Sequence, residues 1–277
     1  MVLERAHAVE VAFLLLASLY CLSLPFKRTI TLVDAAVLVA LFVAYTIRVS
    51  RAPAEEPHLV GPAEYIASFA ERRRRIVVLG LFLVAAATIL LCAERFAESL
   101  VQTGAELGVS EFLLVQWLAP LASEAPELLV AGVYAWRLNT NAGLGTLVSS
   151  KVNQWTLLVG TVPIVFAIAS GSLDGLPILS RQREELLLTA AQSVFAVAIL
   201  SDLTISLREA GALFGLFWSQ FILGALVPAS VHGTELIVIS IVYLALAGLT
   251  VVRMRRQVPR LVRDGLRTPY ERLARQS

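Results

Sequence analysis

Long apolar stretches separated by short polar connections make up most of this chain. A helix needs about 20 mostly apolar residues to cross a bilayer. Eight candidate spans follow from this requirement: 8–24, 30–47, 76–98, 111–135, 142–169, 185–205, 210–229 and 233–252. The pattern therefore predicts an all-α polytopic membrane protein of about eight transmembrane helices. The fifth candidate span is long enough to tilt or to contain a break.

Composition supports a membrane protein and narrows its chemistry. Hydrophobic residues make up 57% of the 277 positions and charged residues only 16%, whereas soluble domains have about 25% charged residues. Cys21 and Cys92 lie in apolar runs, where buried small side chains are expected rather than a disulfide or a metal pair. The sequence contains no phosphate-binding or hydrolase signature, so we expect neither an enzyme nor a bound cofactor.

Arginine residues predict the orientation. The segment 48–75 and the tail after Val252 are rich in arginine, whereas the connection 99–110 contains neither lysine nor arginine. Basic residues are retained on the cytoplasmic side, so both arginine-rich segments and both termini are expected in the cytoplasm of a multi-pass protein of the cell (inner) membrane. The four arginines at 72–75 are expected to bind anionic lipid headgroups of the bilayer. They have no interleaved aromatic residues, which disfavours a nucleic-acid partner.

These features divide the chain into four predicted parts. Two transmembrane helices (1–47) precede a basic cytoplasmic linker (48–75), which contains three prolines. A larger membrane domain (76–252) follows the linker. An arginine-rich cytoplasmic tail (253–277) completes the predicted organisation.

Polar residues inside the fourth candidate span form the strongest functional pattern. Glu124 and Glu127 are three residues apart, so they share one face of a helix, and Pro120 and Pro126 lie beside them. Proline interrupts helical hydrogen bonding, and broken backbone is tolerated at membrane depth only where protein or a water-filled cavity surrounds it. Carboxylates together with freed carbonyl groups favour a hard cation such as Ca²⁺ or Na⁺, or a proton.

The fifth candidate span carries a second group of polar residues: Thr146, Ser149, Ser150, Lys151, Asn153 and Gln154. These side chains occupy adjacent rows of one helix, because their spacings match the helical period. The connection at 137–143 is short enough to make the fourth and fifth spans antiparallel neighbours. We therefore expect contact between a glutamate of the fourth span and Lys151.

Two interpretations of these polar residues are open. Ionisable side chains are costly in a bilayer and generally mark an ion or proton pathway. Hydroxyl and amide side chains also join membrane helices by hydrogen bonds, and a Glu–Lys pair can simply fix the packing of two helices. Replacing Glu124, Glu127 and Lys151 together by apolar residues distinguishes the two, because only the first interpretation predicts altered behaviour.

Two short motifs resemble a known family. The sequence ASEAPEL at 122–128 is similar to a G-T-S-x-P-E-L motif, and GTLVSSKVNQ at 145–154 is similar to a G-N-x-x-G-S-N-x-x-N motif. Both motifs belong to the alpha-repeat of the sodium/calcium exchanger (cation/Ca²⁺ antiporter) superfamily. The resemblance implies an exchanger-type five-helix repeat with broken helices. It also implies secondary antiport of Ca²⁺ or another cation against Na⁺ or H⁺.

The resemblance assigns roles to individual residues. Glu127 falls on the cation-coordinating glutamate of the family, Ser123 falls on its threonine, and Ser150 keeps its serine. Glu124 replaces a serine and adds a second carboxylate. The resemblance thus implies Glu127 and Glu124 as metal ligands, with neutral oxygens from Ser123, Ser150 and Asn153.

Three positions of the second motif depart from the family. Lys151 replaces an asparagine, Ser149 replaces a glycine, and Gln154 replaces the final asparagine. A lysine ammonium in place of a neutral amide can substitute for a bound cation, take part in proton coupling or abolish transport. Together with the added carboxylate, Lys151 therefore favours cation/proton antiport.

The resemblance also implies an incomplete architecture. Family members contain two inverted five-helix repeats with the site at their interface, whereas this sequence shows one such repeat, from the third to the seventh candidate span. The two helices before it resemble the tail of a first repeat. Three explanations are open: an N-terminally shortened product, a half-transporter that pairs with another chain, or a degenerate relative. A second copy, or another chain that supplies the missing repeat, is an expected partner. The alternative function is a non-transporting or degenerate half-transporter that acts as an assembly partner.

Overall fold

The computed structural model describes residues 1–52, 61–106, 108, 124–227 and 231–274. These residues belong to two compact units, one formed by Met1–Pro53 with Leu129–Ser277 and the other by Ala54–Leu128. The larger unit contains residues from both ends of the chain. Its core therefore joins segments that are far apart in the sequence.

Two apolar helices open the larger unit. Helix α1 (Ala8–Cys21) lies between short 3₁₀ turns at Arg5–His7 and Leu24–Phe26, and α2 (Leu32–Val49) follows. Strand β1 (Thr29–Ile30), between the two helices, pairs antiparallel with β2 (Leu176–Pro177). A capping box starts α2, where the side chains of Thr31 and Asp34 each accept a hydrogen bond from the other residue's backbone N–H. This cap satisfies donors that an isolated helix end leaves unpaired.

The smaller unit is dominated by one long helix. Helix α3 (Pro62–Ala67) is followed by α4 (Glu71–Glu106). The four arginines at 72–75 belong to the first turns of α4, where Arg75 pairs with Glu71 at 2.5 Å. The predicted linker 48–75 thus contains helical structure at its end.

The described residues after α4 are also mostly helical. Their helices are α5 (Ala125–Trp136), α6 (Thr140–Asn153), α7 (Val159–Ser170), α8 (Ser180–Ile199), α9 (Leu207–Leu226), α10 (His232–Arg253), α11 (Gln257–Leu266) and α12 (Tyr270–Ala274). A five-residue π-helical segment, Gln154–Leu158, joins α6 to α7 without interrupting the rod. A π segment inside a helix frequently occurs at a functional position. The fifth candidate span, for which a tilt or a break is expected, is thus one continuous helical segment whose hydrogen bonding changes locally at Gln154–Leu158.

Contacts within the larger unit give the direction of its helices. The α1 and α6–α7 helices run parallel, because His7 packs on Gly145 near their first turns and the Cys21 Sγ lies 3.5 Å from the Trp155 carbonyl oxygen near the end of α1. Helix α8 runs opposite to α1, since Arg183 donates to the Pro25 carbonyl while the Leu3 N–H donates to the Leu203 carbonyl.

The directions of α2 and α10 also follow from their contacts. Helix α2 runs opposite to α6–α7, because Tyr45 contacts Ser149 while Leu38 packs on Gly160. Helix α10 runs parallel to α8, because their first turns meet at Gly233 and their last turns meet at Met254. Such alternation is what a chain that repeatedly crosses a bilayer requires.

The C-terminal segment packs into the core of the larger unit. Leu261, Tyr270 and Leu273 are buried among residues of α1 and α6. Arg48 of α2 donates to the carbonyl groups of Gly265 and Thr268, and its guanidinium lies 5.2 Å from the centre of the Tyr270 ring. Burial raises the pKa of the Tyr270 phenol above its ordinary value. The arginine-rich tail is therefore a docked part of the fold.

Six helical segments of the described residues are long and apolar enough to cross a membrane: Arg5–Phe26, Leu32–Val49, Glu71–Glu106, Thr140–Ser170, Ser180–Asp202 and His232–Arg253. They confirm the first, second, third, fifth, sixth and eighth candidate spans. The seventh candidate, 210–229, overlaps α9, which ends at Leu226. Most of the fourth candidate lies outside the described residues. The division into four parts stays a prediction.

Candidate ion-binding site

The carboxylates predicted to bind a cation lie at the start of α5. Glu124 immediately precedes the helix, and Pro126 and Glu127 lie in its first turn. Proline is favoured at this position, because the first N–H groups of a helix have no acceptor within it. The positive end of the helix dipole stabilises negative charge here. The residues of the motif therefore start a helix and place acidic groups at its positive end.

One oxygen of Glu127 is buried without a hydrogen-bond partner among the described residues. This atom is Oε2, although the side chain as a whole is only half-buried. Buried polar atoms are nearly always paired, and an exception requires a physical explanation such as a bound ion or a functional role. An unpaired carboxylate oxygen is the arrangement expected where a cation or a proton binds.

The two motif-bearing helices are connected by a tight turn. The Asn139 side chain accepts a hydrogen bond from the Ala142 N–H and caps α6. Gly143 then packs closely on α5, where an added Cβ atom would lie 3.3 Å from the Tyr134 Cβ and 3.4 Å from the Ala131 carbonyl oxygen. The end of α5 and the start of α6 are therefore close neighbours, as the short connection predicts.

Ser149 is held by a helix from the other end of the sequence. Its Oγ lies 2.8 Å from the hydroxyl oxygen of Tyr45 on α2. Ser150 beside it is half-buried, and Asn153 one turn further on is exposed. Ser149 therefore has a structural partner in addition to its predicted role as an oxygen donor.

Lys151 is positioned by its own helix. Its Nζ donates to the Gln154 Oε1 at 3.1 Å and lies 5.4 Å from the centre of the Trp155 ring. A cation over an indole face is stabilised by the ring quadrupole. Trp155 is buried and donates from Nε1 to the Ser193 Oγ of α8 at 2.8 Å. The lysine therefore rests on a fixed aromatic surface at the point where the π segment begins.

Sequence reasoning missed two polar residues beside α6. His7 and Glu10 face each other at 3.7 Å on the first turns of α1, and His7 packs against Gly145. Their Nδ1 and Oε2 atoms are buried and have no hydrogen-bond partner among the described residues. The signal that could have identified them is an ionisable pair at helical spacing inside an apolar helix.

The residues of the predicted ion-binding site are divided between the two compact units. Glu124 and Glu127 belong to the smaller unit, and Ser149, Ser150, Lys151, Asn153 and Gln154 belong to the larger unit. Ser123 lies outside the described residues. The contact expected between a glutamate and Lys151 stays a prediction. Within the described part of the chain, no three His, Cys, Asp or Glu side chains are grouped to hold a metal ion.

The fold and these residues define a class of protein. Apolar helices long enough to span a bilayer, carboxylates at the start of a helix, and a lysine on a helix interrupted by a π segment are typical of secondary transporters. The sequence matches the family described as sodium/calcium exchanger protein over residues 77–252. This match covers more than half of the chain, and the chain belongs to that family.

Two known proteins are similar to this chain. Sodium/potassium/calcium exchanger 1 of Bos taurus is 31% identical over 115 residues, which are 39% of this chain and 10% of that protein. The crystal structure of the H⁺/Ca²⁺ exchanger CAX is 42% identical with a TM-score of 0.86, and the match covers 99% of this chain and 68% of that chain. The chain thus spans about a tenth of the bovine exchanger's length.

The comparisons confirm the superfamily and the all-α polytopic membrane fold. The family and the fold are those of cation/Ca²⁺ exchanger-type transporters, which carry cations as substrates. The protein is therefore a membrane protein of the exchanger type.

Proposed function

We propose that this protein exchanges Ca²⁺ for H⁺ across the membrane. The proposal is carried by the 42% identity, over 99% of the chain, with a protein named as an H⁺/Ca²⁺ exchanger. The relative named for sodium and potassium shares a much shorter segment of 115 residues at 31% identity. Proton coupling is therefore favoured over sodium coupling.

In this proposal Glu127 is the central cation ligand. Its buried, unpaired Oε2 supports the role, because a bound Ca²⁺ or proton would satisfy that atom. Glu124 acts as a second ligand or as a proton carrier. Ca²⁺ takes six to eight oxygen ligands, so neutral oxygens from Ser123, Ser150 and Asn153 complete the proposed set.

Lys151 has a different proposed role. Its ammonium group, held by Gln154 and the face of Trp155, contributes a fixed positive charge to the site. Such a charge reduces the number of cations that the carboxylates can bind at once. This supports exchange of a divalent cation for protons rather than for several sodium ions.

The coupling ion is tested by measuring ⁴⁵Ca²⁺ uptake into everted membrane vesicles that contain the full chain. Vesicles without the chain supply the background. A pH gradient, acidic inside, should drive uptake, whereas an equal outward sodium gradient should not. Uptake that follows the sodium gradient and ignores the pH gradient would contradict the proposal.

The orientation and partners are also proposals. We place both termini in the cytoplasm of the cell membrane, and the alternating helix directions support an ordered series of crossings. The proposed partners are the lipid bilayer and a second copy, or another chain, that completes the transporter. Labelling of single cysteines introduced on either side of the membrane tests the orientation, and crosslinking in the membrane tests the assembly.

A further inference from the structure

A polar cavity lies at the end of the larger unit where α8 and α10 begin. Its volume is about 410 Å³, and its lining includes Ser180, Arg181, Glu184, His232 and Thr234. The Glu184 carboxylate lies directly against Gly233, since a Cβ atom added there would meet the Glu184 Oε2 at 2.6 Å. The cavity is therefore walled by the charged Arg181 and Glu184 of α8 and by His232 and Thr234 of α10.

Beyond His232 lies a carboxylate that the proposed ion-binding residues do not include. The His232 Nδ1 is 3.2 Å from the Glu235 Oε2, and the Glu235 side chain is only 9% exposed. The second oxygen of Glu235, Oε1, is buried and has no hydrogen-bond partner among the described residues. His232 thus lies between the cavity and a buried, half-satisfied carboxylate.

Polar groups continue inward from Glu235. Its Oε1 faces Gly224 of α9. A Cβ atom added to Gly224 would lie 3.7 Å from this oxygen, which is ordinary van der Waals contact. One turn from Gly224, the buried Gln220 accepts a hydrogen bond from the Gln192 Nε2 at 2.6 Å. A series of hydrogen-bonding groups therefore follows the carboxylate into an otherwise apolar bundle.

We propose that His232 and Glu235 form a proton-transfer pair that connects this cavity to the interior of the bundle. The inference rests on the proposed function, since it assigns a route to the coupling proton. A proton accepted at Nε2 of His232 allows Nδ1 to transfer its own proton to Oε2 of Glu235. The imidazole gains one proton and loses one, so it stays neutral but now carries its proton on Nε2. Proton exchange with water of the cavity then returns the ring to the tautomer with the proton on Nδ1.

The chemistry of the pair favours a proton over a metal ion. One imidazole and one carboxylate offer too few ligands for Ca²⁺, which takes six to eight oxygens. Histidine is the side chain that exchanges protons most readily near neutral pH. Glu235 lies in the first turn of α10, on the same turn as His232, so the two groups are held at helical spacing.

The charges around the pair come from the neighbouring helices. Arg181 and Glu184 of α8 line the same cavity as His232. Helix α9 contributes Gly224 and Gln220, neither of which titrates. The charged groups that line the cavity beside His232 are therefore one arginine and one glutamate of α8.

The test compares three variants of the full chain in everted vesicles by Ca²⁺-driven proton movement between pH 6 and 8. His232→Gln and Glu235→Gln keep hydrogen-bonding groups but remove the exchangeable proton sites. Thr234→Val alters the same cavity without changing a titratable group. We expect at least a tenfold loss of proton movement in the first two variants and less than a twofold change in the third. Equilibrium ⁴⁵Ca²⁺ binding should remain within twofold of the unmodified protein, which also confirms folding.

The outcomes separate the two proposals. If the unmodified protein exchanges Ca²⁺ for protons but His232→Gln has the same rate and pH profile, the proton-transfer pair is overturned and the exchange function stands. If the unmodified protein moves Ca²⁺ without protons, both proposals are overturned. An equal loss in Thr234→Val would assign the effect to the shape of the cavity and would overturn the pair.

Discussion

The hydroxyl oxygen of Tyr45 lies 2.8 Å from the Oγ of Ser149. Tyr45 belongs to the second helix of the chain, and Ser149 lies on the helix that carries the second exchanger motif. The two residues are 104 positions apart in sequence. The second helix is therefore packed on the motif helix itself, as is the first through His7 and Gly145.

Removal of this hydrogen bond should loosen the motif helix. Tyr45→Phe keeps the ring, including its packing on Phe13, and deletes only the hydroxyl. We expect a loss of about 0.5–1.5 kcal/mol in unfolding free energy and weaker Ca²⁺ binding, measured by denaturation in detergent and by equilibrium ⁴⁵Ca²⁺ binding. Tyr65→Phe, at an exposed tyrosine, is the control and should change neither. Equal effects of the two substitutions would show that the Ser149 contact has no specific role.

The hydrogen bond from Trp155 to Ser193 should contribute to stability and hold the indole ring beneath Lys151. The Trp155 indole N–H bonds Ser193, and the ring lies under the Lys151 ammonium. In a double-mutant cycle, Trp155→Phe and Ser193→Ala should show a coupling energy of about 1 kcal/mol, because the second change removes nothing further once the hydrogen bond is lost. Strictly additive unfolding free energies would contradict the bond.

Lys27 should stabilise a buried carboxylate at the start of α2. Lys27 pairs with Asp34, whose side chain is 1% exposed, while the lysine itself is 41% exposed. In Lys27→Met, Asp34 keeps its hydrogen bonds from Thr31 and Tyr20. We therefore expect the unfolding free energy to fall by only about 1–2 kcal/mol. Arg28→Met, at the adjacent exposed residue, should change stability by less than about 0.5 kcal/mol. No difference between these variants would contradict the proposed contribution of the pair.

Gly265 should be intolerant of any side chain. A Cβ atom at this position would overlap the Ala12 Cβ and the Ala8 carbonyl oxygen of α1, whereas one at Gly248 would meet nothing within 4 Å. Gly265→Ala should therefore destabilise the protein by about 1–3 kcal/mol. Gly248→Ala should stabilise it by about 0.5–1 kcal/mol, since alanine favours a helix.

The same two variants can be compared by limited proteolysis. Gly265→Ala should release the C-terminal segment and speed trypsin cleavage after Arg260, and Gly248→Ala should not. A stabilising effect of alanine at both positions would show that α11 is not closely packed on α1.

The sequence predicts the helices well because the bilayer imposes a simple rule. Candidate span 30–47 corresponds to α2 at Leu32–Val49, and candidate span 233–252 corresponds to α10 at His232–Arg253. The length of the fifth candidate span predicts a tilt or a break, and the structure has one continuous helical segment there with a π segment at Gln154–Leu158. Length and apolar composition fix such elements without knowledge of their neighbours.

Long-range contacts could not be predicted in this way. The Tyr45–Ser149 bond depends on how α2 packs, and nothing in the local pattern of either helix specifies that partner. The docking of Leu261, Tyr270 and Leu273 was hidden by the surrounding arginines, which by composition indicate a tail on the lipid surface. The His7–Glu10 pair needed the structure to show that both side chains turn inward.

Glu127 is central to the proposed exchange, and its replacement tests the account most directly. The measurement is pH-gradient-driven ⁴⁵Ca²⁺ uptake by everted vesicles that contain the unmodified protein, Glu127→Gln or Glu98→Gln, at matched protein levels. Glu98 lies on α4 and is exposed, so its substitution controls for loss of one negative charge. The account predicts that Glu127→Gln lowers uptake at least a hundredfold, because an amide neither carries the proton nor binds Ca²⁺ as a carboxylate does, while Glu98→Gln stays within twofold. Uptake by Glu127→Gln that equals that of the unmodified protein would contradict it.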